Sequence, residues 1–460
     1  MAEKKSSGFR TFLLIFITIV LAVVLSLAAY LILVPGAQIF GIKYVSNTQK
    51  VVIEEVENDV LRPKFKFSDY NTIVVNIEDG AGHTNVQVTS GTPNGQVNSQ
   101  IILQQCTRGF LYDGTVSEYQ ISAVKNGATL TITVKEPQYN FLQVTNQTTL
   151  WLNVYENTDT VSGATIKINT GSGSVTFGGA PTVNDVPKNI TFGSADIQTK
   201  SGSINLKSTT TVTSSAKLVS ETGKIILEGT KTIPSVHLQS NTGKITTADI
   251  AGNVNIKSFN SHINLGTITG NVDVEMESGI LNIFKVAGNL VAENTLLYTT
   301  VKVEDSVSGD VTLVNDDGHF SVDIAEIQGD AYIRTGNKPV TLSNVFGKCT
   351  VQTTNGSIKV TKAETNANLL SLVSNSGHIF ANFEKVLGSN TMTTQTGGIT
   401  VRFGPEATFV LNAASPNGRV YCTWLDSTEN PVENLAVGSS LPASTITASS
   451  QSGGIRIENV

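Results

Sequence analysis

A short pattern of glycine and aliphatic residues returns about every 20 residues from residue 165 onward, and this period restricts the folds open to the chain. Each glycine follows a small polar residue, which is typical of turns. The glycine positions are Gly173, Gly202, Gly223, Gly243, Gly279, Gly318, Gly336, Gly356, Gly377, Gly397, Gly418 and Gly453, with Ser261 in the same slot.

Aliphatic residues alternate after these turns, as in Ile204 and Leu206, which places each pair on one face of a strand. A second signature, [Ile/Val]-x-Gly-[Asn/Asp], begins at Ile250, Ile268, Val286, Val307, Ile327 and Val345. A unit of about 20 residues cannot bury its own apolar face, so successive units must stack. We therefore predict an all-β fold, a right-handed parallel β-solenoid with about 4.8 Å between coils. A β-propeller needs blades of about 40 residues, and neither signature has that double period.

Composition supports a β fold and excludes some partners. Of 460 residues only 15% are charged and 40 are glycine, which suits strands and turns. The net charge is -6 without a basic cluster, so we expect no nucleic-acid partner. Three cysteines are too few for a disulfide framework, so packing and hydrogen bonds must hold the fold.

Residues 11–34 are uncharged and mostly aliphatic, and as a helix they would span about 36 Å, enough to cross a lipid bilayer. The stretch is longer than the apolar core of a signal peptide, about 7 to 15 residues, and no Ala-x-Ala site follows. We favour an uncleaved anchor. Lys4, Lys5 and Arg10 predict a cytoplasmic segment 1–10 and an extracytoplasmic remainder, in a single-pass protein of the cell membrane.

The rest of the chain divides into three predicted parts. Residues 35–70 are expected to form a stalk or linker, in which 48–61 could be either a short helix ending before Pro63 or a strand. Phe40 and Tyr44 are expected at the membrane interface. Residues 71–164 read as an irregular β-rich opening region, and residues 165–460 as the solenoid.

The order of these features resembles the bacterial putative-adhesin family of β-strand repeats, also called toastrack domains. The likeness lies in "IKINTGSGSVTF" at 166–177 and in the repeated "SGSINL" and "TGKIIL" units, and covers roughly residues 70 to 460. The resemblance implies a single-stranded β-helix in the cell envelope, with no established catalytic residues to carry over. Some members resemble parts of envelope-stress systems.

Cysteine and histidine positions give no reactive cluster. Cys349 and Cys422 fall on inward positions about 17 Å apart, too far for a disulfide, so we predict two core thiols. His262, His319 and His378 are predicted to share one outward slot, with about 14 Å between successive members. That spacing excludes a shared metal ion.

A polar residue directly follows the glycine of the second signature in successive coils. We predict that these residues form a ladder of side-chain hydrogen bonds between coils. Its members are Asn253, Asn271, Asn289, Asp310 and Asp330. Calcium between Asp310 and Asp330 is conceivable, but the Gly-Gly-x-Gly-x-Asp nonapeptide of calcium-binding β-rolls is absent. We expect neither a metal nor a cofactor.

"NDDGH" at 315–319 is the one stretch that hints at catalysis, since paired carboxylates hydrolyse polysaccharides in other solenoids. Asp316, Asp317 and His319 would be the trio, although turn preference already explains both aspartates. Trp151 and Trp424 are expected to cover exposed core, with sugar stacking as the alternative. We assign no catalytic residue and predict no enzyme.

The sequence thus favours a membrane-anchored, extracytoplasmic adhesin or envelope scaffold, with a cell-surface glycan or protein as its partner. Two alternatives stay open: an accessory protein of an envelope-stress signalling system, and a polysaccharide-cleaving enzyme. The last repeat, "SGGIRIENV", would leave an open strand edge. Either residues 426–443 fold back as a cap or this end is a contact site.

Overall fold

Among the residues that it describes, the computed structural model has one helix, Ser6–Leu33, one short 3₁₀ helix, Phe67–Asp69, and 38 strands joined in a single sheet. The all-β fold with one N-terminal apolar helix is confirmed. The structure describes residues 6–53, 55–57, 60–62, 66–78, 83–92, 99–112, 118–137, 145–155, 161–180, 186–293, 296–315, 317–361, 369–423, 430–438 and 444–459.

Each coil contributes one strand to a first parallel ladder that runs the length of the solenoid. In spatial order its rungs are Thr165–Thr170, Ile190–Thr199, Thr210–Ser220, Ser235–Ser240, Asn253–Ile268, Val272–Val286, Leu290–Glu293, Val311–Val314, Ala331–Thr335, Cys349–Thr353, Leu370–Ser374, Ser389–Thr394, Thr445–Ser450 and Phe409–Ala414. At about 4.8 Å per rung the ladder is roughly 60 Å long.

A second parallel ladder lies across the core from the first. It is built from the strand that follows each first-ladder strand in sequence, after a turn that we call the corner. Its separate strands are Val175–Phe177, Ile204–Leu206, Ile225–Leu227, Ile245–Thr247, Tyr298–Val303, Ser321–Ile327, Val340–Val345, Ile358–Val360, Ile379–Phe383, Ile399–Phe403, Ile455–Asn459 and Val420–Cys422. Asn253–Ile268 and Val272–Val286 are long enough to serve both ladders.

Between residues 231 and 345, successive coils are also joined by a third side of parallel bridges, most of them at the first residue of the second sequence signature. Its members are Lys231, Ile250, Ile268, Val286, Val307, Ile327 and Val345. Except for Lys231, these aliphatic side chains are 0% exposed. Because every coil turns the same apolar positions inward, each buried Val, Leu or Ile adds about 1.5 to 3 kcal/mol of hydrophobic stabilisation.

The polar residues that follow the glycine of the second signature form the predicted hydrogen-bond ladder. Asn253 Oδ1 accepts from the Asn271 backbone N–H at 2.8 Å, and Asn271 Oδ1 accepts from Asn289 at 2.9 Å. The ladder continues through Asp310 and Asp330, each accepting from the next coil at 2.8 Å. Its polar atoms are therefore used between coils.

The N-terminal part extends the same stack and adds an antiparallel sheet. Thr72–Glu78 continues the first ladder and Asn85–Thr92 the second, so parallel pairing begins well before residue 165. Ile42–Ile53 pairs antiparallel with Gln100–Tyr112, so this part of the predicted stalk belongs to a sheet. Of the two alternatives for residues 48–61, the helix is therefore wrong as far as residue 53. The domain boundaries themselves stay a prediction. The other strands are Gln38–Ile39, Glu55–Glu57, Val60–Arg62, Gln120–Asn126, Thr129–Lys135, Thr145–Tyr155 and Val186–Pro187.

The C-terminal end has a different order in space from its order in sequence. Thr445–Ser450 lies between Ser389–Thr394 and Phe409–Ala414, so the prediction that the last repeat forms the open edge is wrong. Val432–Val437, from the predicted cap, pairs antiparallel with Phe409–Ala414, which confirms the fold-back alternative for the first ladder.

Backbone contact between coils explains the glycine slot. At Gly453 an added Cβ would lie 2.0 Å from the carbonyl oxygen of Gly397 on the neighbouring coil. We expect Gly453→Ala to lower the free energy of unfolding by about 1 to 3 kcal/mol or more, because backbone must move. Gly454→Ala is the matched control, since its nearest atom is 3.7 Å away. Equal melting temperatures for the two variants would contradict this explanation.

Lys231 begins the third side and is 2% exposed, with its Nζ donating to the carbonyl oxygens of Lys207 and Thr210. Burial lowers the pKa of Lys231 to about 8, and Glu228 opposes this shift. The unfolded chain then binds more protons between pH of about 8 and 10.5, so stability should rise with pH in this window. We expect melting curves to show this rise, and Lys231→Met to remove it. The control variant Lys244→Met, at an exposed lysine, should keep the rise in stability. If the rise survives in Lys231→Met, a group other than Lys231 causes it.

Candidate functional site

A buried hydroxyl three residues before the glycine organises the regular corners between the first and second ladders. Ser220 Oγ accepts from Gly223 N–H at 2.9 Å and donates to the carbonyl oxygen of Gly202 on the preceding coil at 3.0 Å. Ser374 and Ser450 make the same two bonds in their corners. The sequence signal for this hydroxyl is [Ser/Thr]-x-x-Gly with the repeat period, three residues before the glycine, and the sequence-based predictions did not include it.

This hydroxyl pattern fails in two neighbouring coils. Ser258 Oγ is buried and has no hydrogen-bond partner in the described part of the chain, and the next coil has Met276 in place of the hydroxyl residue. Phe259 follows Ser258 and is 56% exposed. The equivalent residue is polar and exposed in seven regular corners, namely Lys200, Glu221, Asn241, Thr354, Asn375, Gln395 and Gln451, and it is Gly171, Gly336 and Pro416 in three other corners.

The next two coils have longer corners. Strand register aligns Ile263 with Leu281, Val301 and Val322, so Phe320, two residues before Val322, takes the glycine slot. Gly318 and Gly336 are therefore not in that slot, which Phe320 and Lys338 occupy, and their predicted alignment with Gly356 is wrong. We call residues 258–261, 276–279, 296–299, 315 and 317–319 the irregular corner.

A groove of about 370 Å³ opens at the irregular corner. Its lining combines an aromatic ring, aliphatic side chains and polar groups: Gln239, Asn241, Lys257, Ser258, Phe259, Glu275, Met276, Glu277 and Leu297. Lys257 Nζ contacts Glu275 Oε1 at 2.7 Å, and both side chains are about half exposed. Tyr298, which is 67% exposed, follows Leu297. The arrangement offers one apolar surface surrounded by hydrogen-bonding groups.

The stretch "NDDGH" forms part of this corner. The Asp317 backbone N–H donates to Asn315 Oδ1 at 3.1 Å, which is turn geometry, and Asp316 lies outside the described residues. The His319 ring is 5.7 Å from the Tyr298 ring, and Asn337 Nδ2 lies 3.2 Å from His319 Nδ1. The structure does not group Asp317 and His319 into an acid–base pair, and their catalytic role stays a hypothesis.

The histidines do not form one column. His319 lies two residues before the position that aligns with His262, so the prediction of a shared slot is wrong for it. His262 Nε2 lies 3.1 Å from Asn264 Oδ1, and His378 Nε2 lies 3.2 Å from Thr400 Oγ1. Partial burial lowers the pKa of His378. Within the described residues, no group of three or more His, Cys, Asp or Glu could hold a metal.

The predicted core thiols are confirmed. Cys349 is 0% and Cys422 is 2% exposed, and neither forms a disulfide. Burial raises the pKa of the Cys349 thiol to about 12, which keeps it protonated. Trp151 is half-buried in Thr145–Tyr155, a strand paired on both sides, and Trp424 lies outside the described residues.

The sequence model of the Toastrack DUF4097 family matches residues 112–345 and 340–458, most of the chain. This chain belongs to the Toastrack DUF4097 family. The motif resemblance is thereby confirmed, and the match includes the whole irregular corner of this toastrack chain. No curated protein matches the sequence.

Solved structures of low identity are also similar to the toastrack chain. A putative adhesin from Bacteroides fragilis has 13% identity and a TM-score of 0.29, over 69% of this chain and 97% of its own. A putative cell adhesion protein from Clostridium sporogenes has 7% identity and a TM-score of 0.19, over 90% and 100%. A putative adhesin from Parabacteroides distasonis has 10% identity and a TM-score of 0.18, over 90% and 97%.

The two kinds of corner predict opposite effects of losing a hydroxyl. Ser220→Ala removes an acceptor and a donor from a buried corner and should cost about 1 to 3 kcal/mol of unfolding free energy. Ser258→Ala removes a buried hydroxyl without a partner and should be neutral or stabilising by about 1 kcal/mol. Thermal unfolding of both variants checks this. A large loss in Ser258→Ala would show that its hydroxyl supports the fold.

Proposed function

We propose that this toastrack chain is a membrane-anchored, extracytoplasmic adhesin or envelope scaffold that works by binding and without catalysis. The observation that carries the proposal is the continuous stack of parallel rungs with its core filled by aliphatic side chains. Such a stack is a rigid body whose surface repeats about every 4.8 Å, which suits a spacer or repeated contact with an extended partner.

The N-terminal helix supports an anchored position. Arg10–Leu33 is long enough to cross a bilayer, has a mean hydropathy of 3.0 and is unburied, properties that an anchor shares with a signal sequence. Exposed Phe40 continues this apolar surface, and Ile39, Ile42 and Phe110 line a notch of about 300 Å³ against the helix. One end of the stack would thus lie near the membrane, with the other roughly 60 Å away. Residues 1–10 would be cytoplasmic and residues 165–460 the projecting solenoid.

Labelling with a membrane-impermeant maleimide on intact cells tests the placement. In a Cys106→Ser background the buried Cys349 and Cys422 should stay unlabelled. Gln451→Cys, on an exposed corner, should be labelled from outside, whereas Arg10→Cys should need permeabilised cells. The full chain, purified in lipid nanodiscs, should then retain peptidoglycan fragments or whole cells without releasing reducing sugar.

Either readout can contradict the proposal. Labelling of Gln451→Cys only after permeabilisation would reverse the orientation. Release of reducing sugar that is lost in Asp317→Asn would replace the adhesin with the polysaccharide-cleaving enzyme. Retention of neither cells nor peptidoglycan would remove the binding role and favour the signalling accessory.

A further inference from the structure

The irregular corner departs from the [Ser/Thr]-x-x-Gly pattern of the regular corners, and it does so in four successive coils. In proteins whose sequence otherwise agrees with the fold at every level, local conflicts are expected at functional sites. We propose that the groove at this corner binds an uncharged oligosaccharide, with Phe259 as its stacking surface. This inference rests on the proposed binding function and assigns its ligand and site.

Phe259 supplies the apolar surface. This residue is 56% exposed in a slot that is polar in most regular corners, so its placement gives the fold little burial in return. The C–H face of a hexose ring would cover the exposed ring and remove that apolar area from water. Tyr298 lies two rungs further along, about 10 Å away along the stack, and its ring is also exposed. Two aromatic rings at this separation fit a chain of several sugars better than they fit a single sugar.

Polar groups surround Phe259 and match sugar hydroxyls. Asn241 and Gln239 present side-chain amides, and the groove is also lined by Lys257 and Glu275. Ser258 is more than nine-tenths buried, lines the same groove, and its hydroxyl has no partner among the described residues. The Ser258 hydroxyl is itself closed off from solvent, so the polar contacts to a sugar would come from the exposed lining residues.

Charge and backbone pairing select among ligand classes. Lys257 is already paired with Glu275, and Glu277 adds a further carboxylate, so a polyanionic polysaccharide would meet repulsion. Gln239, Lys257 and Glu275 lie on adjacent rungs, and Lys257 is paired on both sides. The groove therefore has no free strand edge at its centre for a peptide to join as an added strand. An uncharged oligosaccharide satisfies both conditions.

The test is calorimetric titration of the full chain in lipid nanodiscs with chitotetraose and maltotetraose, and with a hyaluronan tetrasaccharide as the anionic probe. We expect at least one uncharged probe to bind and the anionic probe not to bind. Phe259→Asn, which copies Asn241 of the regular corner, should weaken binding about tenfold or more, and Phe259→Tyr should retain it. Phe284→Asn is the matched control, because this ring is 50% exposed outside the groove.

Ser258→Ala gives a second control. It should leave the affinity for the uncharged probes unchanged, because the Ser258 hydroxyl is closed off from solvent and does not reach a ligand in the groove. Binding unchanged by Phe259→Asn would overturn the groove as the site. Retention of cells or peptidoglycan without affinity for either uncharged probe would overturn the ligand class and leave the proposed function standing. Loss of all retention would count against the proposed function itself.

Discussion

The close approach of one coil to the next is the constraint on which the whole structure depends. Parallel rungs about 4.8 Å apart place equivalent residues of every coil directly over one another. Most inward positions are therefore apolar, and in the regular corners the position where the backbones nearly touch lacks a Cβ. The corner at Gly223 shows the consequence, since a Cβ there would lie 2.1 Å from the carbonyl oxygen of Gly202. Glycine recurs because of this contact between coils, beyond any turn preference.

Polar side chains at recurring positions of the stack bind to the backbone of the adjacent coil. Ser220 and Asn271 show two solutions, one in a buried corner and one at an exposed position. The irregular corner departs from this pattern and gains a groove with an exposed aromatic residue. Regular corners maintain the stack, and the irregular corner provides chemical variety on an otherwise repetitive surface.

The chain's own end shows how stacking manages an exposed edge. The last repeat lies between two rungs that precede it in sequence, and Val432–Val437 folds antiparallel over the terminal rung of the first ladder. An antiparallel strand interrupts the parallel register, so that another parallel coil cannot simply be added there. Because the last repeat lies between two others in space, its final strand, Ile455–Asn459, is paired on both sides.

The sequence by itself determined the repeat, the inward aliphatic columns, the Asn/Asp ladder, the apolar N-terminal helix and the burial of Cys349, because each follows from periodicity or length. The tertiary structure alone decided three features: the register shift that separates His319 from His262, the insertion of the last repeat, and the groove beside Phe259. Corner length and strand order depend on which coil lies next in space. A periodic sequence fits several such neighbours almost equally well, so only the packed structure distinguishes them.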